Sequence, residues 1–278
     1  MAHHAEDLRD AQSILSMEED IDLDLAQEDR ISRRVAHGVY RILHNRKVVG
    51  EELWGIFGLR AGGYRLMSEI DLKWPTPNQQ RVQLDVDANW QTLSLWAQID
   101  LHGKRRVAHY LPTENGIEVS VMEGSLRYAD AGRSADQPFQ LAPAAKPKSI
   151  LSTTLPAQDN TFLDFGSTLL NFAHLQRIAL KPGKSTDIRT VVVMQPALEP
   201  FELVQVYTYQ RDEQITSLIE PYVNTRRYMI EERDGLSEAG APVTTLWVDE
   251  HGVAVKQDVL LGRDTHGCEL TSYTWQGD

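Results

Sequence analysis

Three residues have types and settings that could do chemistry: His109, Asp100 and Arg226. An imidazole titrates near neutral pH and can move protons. A carboxylate and a guanidinium can polarise or hold a substrate. Val107, His109 and Leu111 share one parity of a short alternating stretch, so His109 is expected to point inward among apolar neighbours. Arg226 and Arg227 are consecutive in Thr225-Arg226-Arg227-Tyr228, so alternation turns one of them inward. The inward one could hold a carboxylate or a phosphate headgroup. Each group also has a plain structural role: a buried histidine satisfied by one hydrogen bond, or an arginine paired with a nearby acid.

Other matches carry no chemistry. Asp164-Phe165-Gly166 spells a kinase tripeptide, but no glycine-rich loop or catalytic loop accompanies it. Residues 55–63 hold several glycines without the pattern that cradles phosphate. His102 and His109 lie seven apart across a turn, which is weak evidence for a metal. Cys268 is the only cysteine, so no intramolecular disulfide and no multi-cysteine zinc site can form. No cofactor and no metal are expected. No signature names a reaction, so catalytic residues stay unassigned.

The elements that must position these residues have a period of two. Tyr64, Leu66, Ser68, Ile70 and Leu72 alternate with Arg65, Met67, Glu69 and Asp71. Val82, Leu84 and Val86 continue the pattern, as do Leu93, Leu95, Ala97, Ile99 and Leu101. Closely spaced turn residues make these an antiparallel meander. One segment, 159–178, has a helical period, with Phe162, Phe165, Leu169, Phe172 and Ala173 at spacings of three and four. Asp159 or Asn160 is its expected N-cap. The β period then resumes to the end of the chain. The expected fold is mainly β: a large antiparallel curved sheet or lipocalin-like half-barrel, with two β halves joined by one buried central helix. The bounds are a first half at 35–128, a loop and helix at 129–183, and a second half at 184–278.

Charge separates the N-terminus from this body. The chain has 278 residues and a net charge of -12. Its first 30 residues hold ten acids against Arg9 and Arg30, which leaves 30 acids and 26 bases for the rest. Residues 1–34 therefore read as an acidic arm, either a solvated leader or a docking element for a basic protein partner. The acidic balance argues against a nucleic-acid partner. No run approaches the roughly 18 apolar residues of a membrane span, and the start lacks the basic and apolar regions of an export signal. A reducing, cytoplasmic setting is expected.

Two stretches carry a family resemblance. Gly63-Tyr64-Arg65-Leu66-Met67-Ser68-Glu69 follows Trp54-Gly55-Ile56-Phe57, and Thr245-Leu246-Trp247-Val248-Asp249-Glu250-His251-Gly252 runs into Val253-Ala254-Val255-Lys256. They resemble hairpins of bacterial half-barrel proteins, which include glycolipid-binding domains and the lipoprotein-carrier (LolA/LolB-like) architecture. The resemblance implies a curved sheet whose concave face holds a lipid or another apolar molecule. The missing export signal departs from the carriers.

The expected function is binding of a hydrophobic or amphipathic, lipid-like small molecule in the barrel cavity. The expected wall and plug are Trp54, Tyr64, Leu66, Ile70, Leu72, Leu93, Leu95, Ile99, Phe162, Phe165, Phe172 and Trp247, with His109 and Arg226 as polar anchors. Two alternatives stand beside it. One is an isomerase, cyclase or hydratase using His109, Asp100 and Arg226 in the same cavity. The other is an interaction module built on the acidic arm.

Overall fold

The computed structural model describes residues 31–125, 148–156, 161–233 and 242–277. The acidic segment 1–30 and most of the loop expected at 129–149 lie outside the described residues. The first half begins with β1 (Ile31–His44), β2 (Lys47–Leu59), β3 (Tyr64–Leu72) and β4 (Asn78–Val86). It continues through β5 (Thr92–Leu101), β6 (Lys104–Thr113), β7 (Gly116–Ser125) and β8 (Lys148–Leu155). A short strand β9 (Phe162–Asp164) and one helix α1 (Leu170–Arg177) follow. The second half is β10 (Lys184–Met194), β11 (Glu199–Ile215), β12 (Val223–Arg233), β13 (Val243–Val248), β14 (Ala254–Leu261) and β15 (Asp264–Trp275). No helix among the described residues is long and apolar enough to cross a membrane.

All the strands belong to one sheet. Its order runs β8 to β1 in reverse, then β15 down to β9. The first and last strands therefore meet at its centre, with Gly38 opposite Tyr273. Each pairing is antiparallel except that of β9 with β10. The hairpin tips suit the twist: Asn45 and Arg46 both have positive φ, as do His102 and Gly103. Such a sheet curves into a barrel-like trough, and β9 comes close to β5 across it. At the centre, a Cβ on Gly38 would lie 2.7 Å from the Trp54 ring. Glycine there lets the indole rest directly on the backbone of β1.

The concave face is filled by side chains. Trp54, Ile56, Leu66, Leu84 and Leu95 form one core with Leu163, Phe165, Leu169, Leu170 and Phe172 from the segment that crosses the trough. Residues 161–180 thus act as a plug, because an apolar sheet face must be covered by something. Two expectations need correction. The helix expected at 159–178 spans only Leu170–Arg177, and Phe162 lies in β9. Apolar residues on a strand, a turn and a helix happened to fall three and four apart. Asp164 accepts the Gly166 N–H at 2.9 Å, and Gly166 has φ +81°, which makes the turn between the two elements. The expected N-cap residues lie outside the described residues; the observed N-cap, Leu169, has no side-chain cap.

The second correction concerns β6. Leu95 and Ala97 face the core, and their partners are Tyr110 and Ala108. Val107, His109 and Leu111 therefore point to the convex side, and His109 is exposed. Both parities of β6 are largely apolar, so pattern alone could not choose between them. The first strand also starts earlier than expected, at Ile31 instead of residue 35.

Leu170 is fully buried between plug and sheet. Replacing it with Ala should cost about 2–5 kcal/mol, by lost apolar contact and a residual cavity. Urea unfolding of Leu170→Ala against the parent chain measures this; a loss under ~1 kcal/mol would mean that the plug is not part of the cooperative core.

Candidate functional site

Glu52 lies on β2 with the parity of Trp54 and Ile56, so its carboxyl enters the concave core, where it is 1% exposed. Ser68 Oγ on β3 donates to Oε1 at 2.7 Å, and Ser167 Oγ of the plug donates to the same oxygen. The Thr168 N–H donates to Oε2 at 3.3 Å, and the Leu169 backbone adds a further hydrogen bond. Those backbone groups open α1, so the carboxyl does the capping that no nearby side chain does. Burial pushes its pKa above the ordinary carboxylate value, and the four hydrogen bonds pull it only part of the way back. Burial also pushes the neighbouring Cys268 thiol up to about 12, which leaves it unreactive at neutral pH.

A cavity of about 170 Å³ opens beside this carboxyl. Ile42, Ile70, Leu72 and Val259 give it aliphatic walls, and Thr168, Cys268 and His266 also line it. Three carboxamides complete the lining: Gln80, Gln195 and Gln257. Gln80 donates to Asn78 Oδ1 at 2.8 Å and Gln195 donates to Phe165 O at 2.9 Å. Gln257 accepts from Asn171 Nδ2 at 3.1 Å. Each carboxamide so spends one polar atom on the protein, and its other polar atom has no partner among the described residues. The cavity can hydrogen-bond a ligand but offers it no cation within its walls.

A second cavity, of about 180 Å³, lies at the other end of the plug. Residues 175–180 form one side, and Arg226, Tyr228, Val248 and the turn at 250–252 form the other. Arg226 is the inward member of its pair. Its Nη2 donates to Asp249 O at 3.0 Å.

Between the cavities, His174 of α1 is fixed by two neighbours. Its Nε2 lies 3.2 Å from the Leu163 carbonyl, so that nitrogen carries the proton. Nδ1 lies 3.0 Å from Tyr207 OH, whose one proton it shares with Gln205 Oε1 at 3.1 Å. Burial holds the imidazole below its ordinary pKa, so it is neutral. The ring also stacks on Phe162 at 4.5 Å. This histidine ties α1 to β9 and β11 and lines neither cavity.

The residues expected to form the wall have separate fates. Trp54, Leu66, Leu95, Ile99, Phe165 and Phe172 are buried in the core. Tyr64 packs against it and stacks on Trp90 at 4.3 Å. Phe162 belongs to a smaller cluster with Ile178, Tyr207 and Ile230. Ile70 and Leu72 line the Glu52 cavity, and Arg226 lines the other. Leu93 is 47% exposed near the start of its strand and lines neither cavity. Trp247 faces outward, where it donates to Glu213 and lies under the Arg227 and Lys256 cations. Asp100 is held by Arg105 through bonds of 2.7 and 2.6 Å. His109, Asp100 and Arg226 are not brought together. The sequence reading missed Glu52, although an acid with the parity of Trp54 and Ile56 was a usable signal.

The chain matches no protein-family profile and no curated protein. Among solved structures it is similar to a DUF1089 family protein from Pseudomonas aeruginosa. The identity is 20% and the TM-score 0.44, over 69% of this chain and 82% of that one. It is also similar to a β-barrel-like protein of the domain of unknown function DUF1849 from Brucella abortus. There the identity is 9% and the TM-score 0.49, over 88% of this chain and 99% of that one. The barrel-like architecture rests on the strand order of this chain. Neither description speaks of glycolipid or lipoprotein binding.

Two pH effects follow. Glu52 has a raised folded pKa, so folding takes up a proton in the window above 4.5. Its contribution is full below that window and is lost as pH rises through the folded pKa. The stability lost in Glu52→Gln should be about 1–3 kcal/mol in acid and shrink as pH rises, measured by urea unfolding at several pH values. A cost that grows with pH would reverse the sign. His174 has a lowered folded pKa, so its contribution is present above 6.5 and lost as pH falls through the folded value. His174→Gln should flatten the fall in melting temperature below pH 6.5; an unchanged slope would count against the neutral imidazole.

Proposed function

We propose that this chain binds a small neutral molecule with a short apolar body in the cavity beside Glu52. The observation that carries the reading is the lining: three carboxamides with unspent polar atoms set among four aliphatic side chains. The aliphatic walls favour an apolar body at about 0.8 kcal/mol for each buried methylene. The carboxamides favour a hydroxyl or amide head. Size narrows the broader expectation of a lipid-like ligand. A cavity of about 170 Å³ is smaller than the ~300–1,000 Å³ that usually holds a drug-sized ligand, so a whole acyl lipid is too large for it. A charged carboxylate head is disfavoured, because Glu52 is close and no cation lines the site. A cytoplasmic setting belongs to the same reading and is supported by Cys268, the single cysteine, held as a half-buried free thiol.

The test uses 1-butanol, 1-hexanol, hexanamide and hexanoate, followed by NMR chemical shifts on the purified chain. Affinity should rise from butanol to hexanol, and hexanoate should bind roughly tenfold more weakly than hexanamide, a difference of about 1.4 kcal/mol. Ile70→Phe should fill the cavity and abolish binding while the fold persists. Equal binding of hexanoate and hexanamide, or undiminished binding to Ile70→Phe, would overturn the proposal.

A further inference from the structure

We infer that Arg226, at the cavity beside the C-terminal end of α1, is the anchor of an oxyanion site for a carboxylate or phosphate group. This site is separate from the Glu52 cavity and does not depend on its reading.

The argument begins with two adjacent arginines in different electrostatic settings. Arg227 points to the convex side. There it lies over the Trp247 ring at 5.3 Å and has Glu213 at 3.7 Å. Arg226 points inward and pairs with no carboxylate among the described residues. Its cross-strand neighbour on β11 is Asp212, which accepts the Tyr209 hydroxyl. Asp249 is committed to the Tyr273 hydroxyl at 2.5 Å and to the N–H groups of His251 and Val253 at 3.0 and 2.8 Å. The Glu250 side chain is 88% exposed, with His251 Nε2 3.8 Å away. None of these three acids pairs with the Arg226 guanidinium: two are engaged elsewhere and the third lies in solvent.

The guanidinium is nevertheless held in place. Nη2 donates to the carbonyls of Asp249 and Glu250, at 3.0 and 3.4 Å. Nε is buried and has no acceptor. Fixing a partly buried cation while leaving its charge and one donor unmatched costs stability. An anion in the adjoining cavity of about 180 Å³ would offset that cost. Tyr228 and His251 line the same space and can donate to further oxygens. His251 is positioned by stacking on Trp275, with ring centroids 4.3 Å apart. The peptide carbonyls closing α1 carry partial negative charge and oppose an anion there, more strongly the higher its charge, so the attraction must come from Arg226.

Titration calorimetry with sodium phosphate and with sodium acetate, each against sodium chloride at matched ionic strength, tests the site on the full chain. Phosphate, acetate or both should bind at one site, and the better of the two identifies the geometry. Arg226→Gln should weaken that binding about tenfold or more, the loss of one charge-assisted hydrogen bond. Arg226→Lys, which keeps the charge, should retain part of it. Arg233→Gln, on the exposed Asp187 pair, should change nothing. If Arg226→Gln fails to fold, the ¹⁵Nε resonance of Arg226 in the parent chain decides, and it should shift on titration. Binding of neither anion, equal binding to parent and Arg226→Gln, or a static Arg226 resonance would overturn the inference.

Discussion

The buried carboxyl of Glu52 is the contact on which the rest of the interior depends. A single curved sheet has an apolar concave face that one other element must cover, and here that element is a plug with a helix of only eight residues. A helix that short has no stability of its own. It stands because its opening backbone groups and Ser167 reach a carboxyl fixed on β2, while Ser68 holds that carboxyl from β3. An apolar side chain at position 52 could pack as well or better, since burying a carboxyl is costly. It could not choose where the plug sits. Four hydrogen bonds to one carboxyl give the segment at 166–169 a single position on a surface that is otherwise uniformly greasy.

His174 repeats this logic at the other side of the helix. Its two nitrogens bind the Leu163 carbonyl and the Tyr207 hydroxyl, so α1 is joined to the far end of the sheet as well. The plug, pinned at both ends, lies between two small spaces in the trough. This is why the apolar residues expected to form a wide ligand wall instead pack against one another. Leu66, Leu95, Phe165 and Phe172 are core, and two small cavities open at the plug's flanks, where polar side chains interrupt the packing.

What the sequence made legible follows from range. Alternation in β3, β4 and β5 is a local property, and its reading agrees with the burial of Leu66, Val82, Leu84, Leu95 and Ile99. β6 failed because Val107 and Leu111 on one parity compete with Ala108 and Tyr110 on the other, and only the register with β5 decides. The plug was visible as an apolar segment between two β halves, but its division into strand, turn and helix depends on Gly166 and on a carboxyl 115 residues away from Ser167. No period in a chain reports a contact of that range. The Glu52 cavity was illegible for the same reason, since its lining draws on strands from both halves.

Unmatched charge separates the two buried polar centres by role. Glu52 is surrounded by donors and has little left to offer a ligand, so its work is architectural, and in the proposed site the nearby carboxamides do the binding. Arg226 is the reverse case: two backbone carbonyls hold it in place, yet they carry no formal charge to neutralise it. Arg65 shows a complete ion pair, in its bidentate contact with Asp85, both bonds 2.8 Å. That contrast within one chain is the argument for treating the incomplete centre as a place for something else. A protein that satisfies a fully buried arginine so thoroughly at one site has the means to do so at another. Where it positions the cation and supplies no acid, the missing charge belongs to a partner molecule.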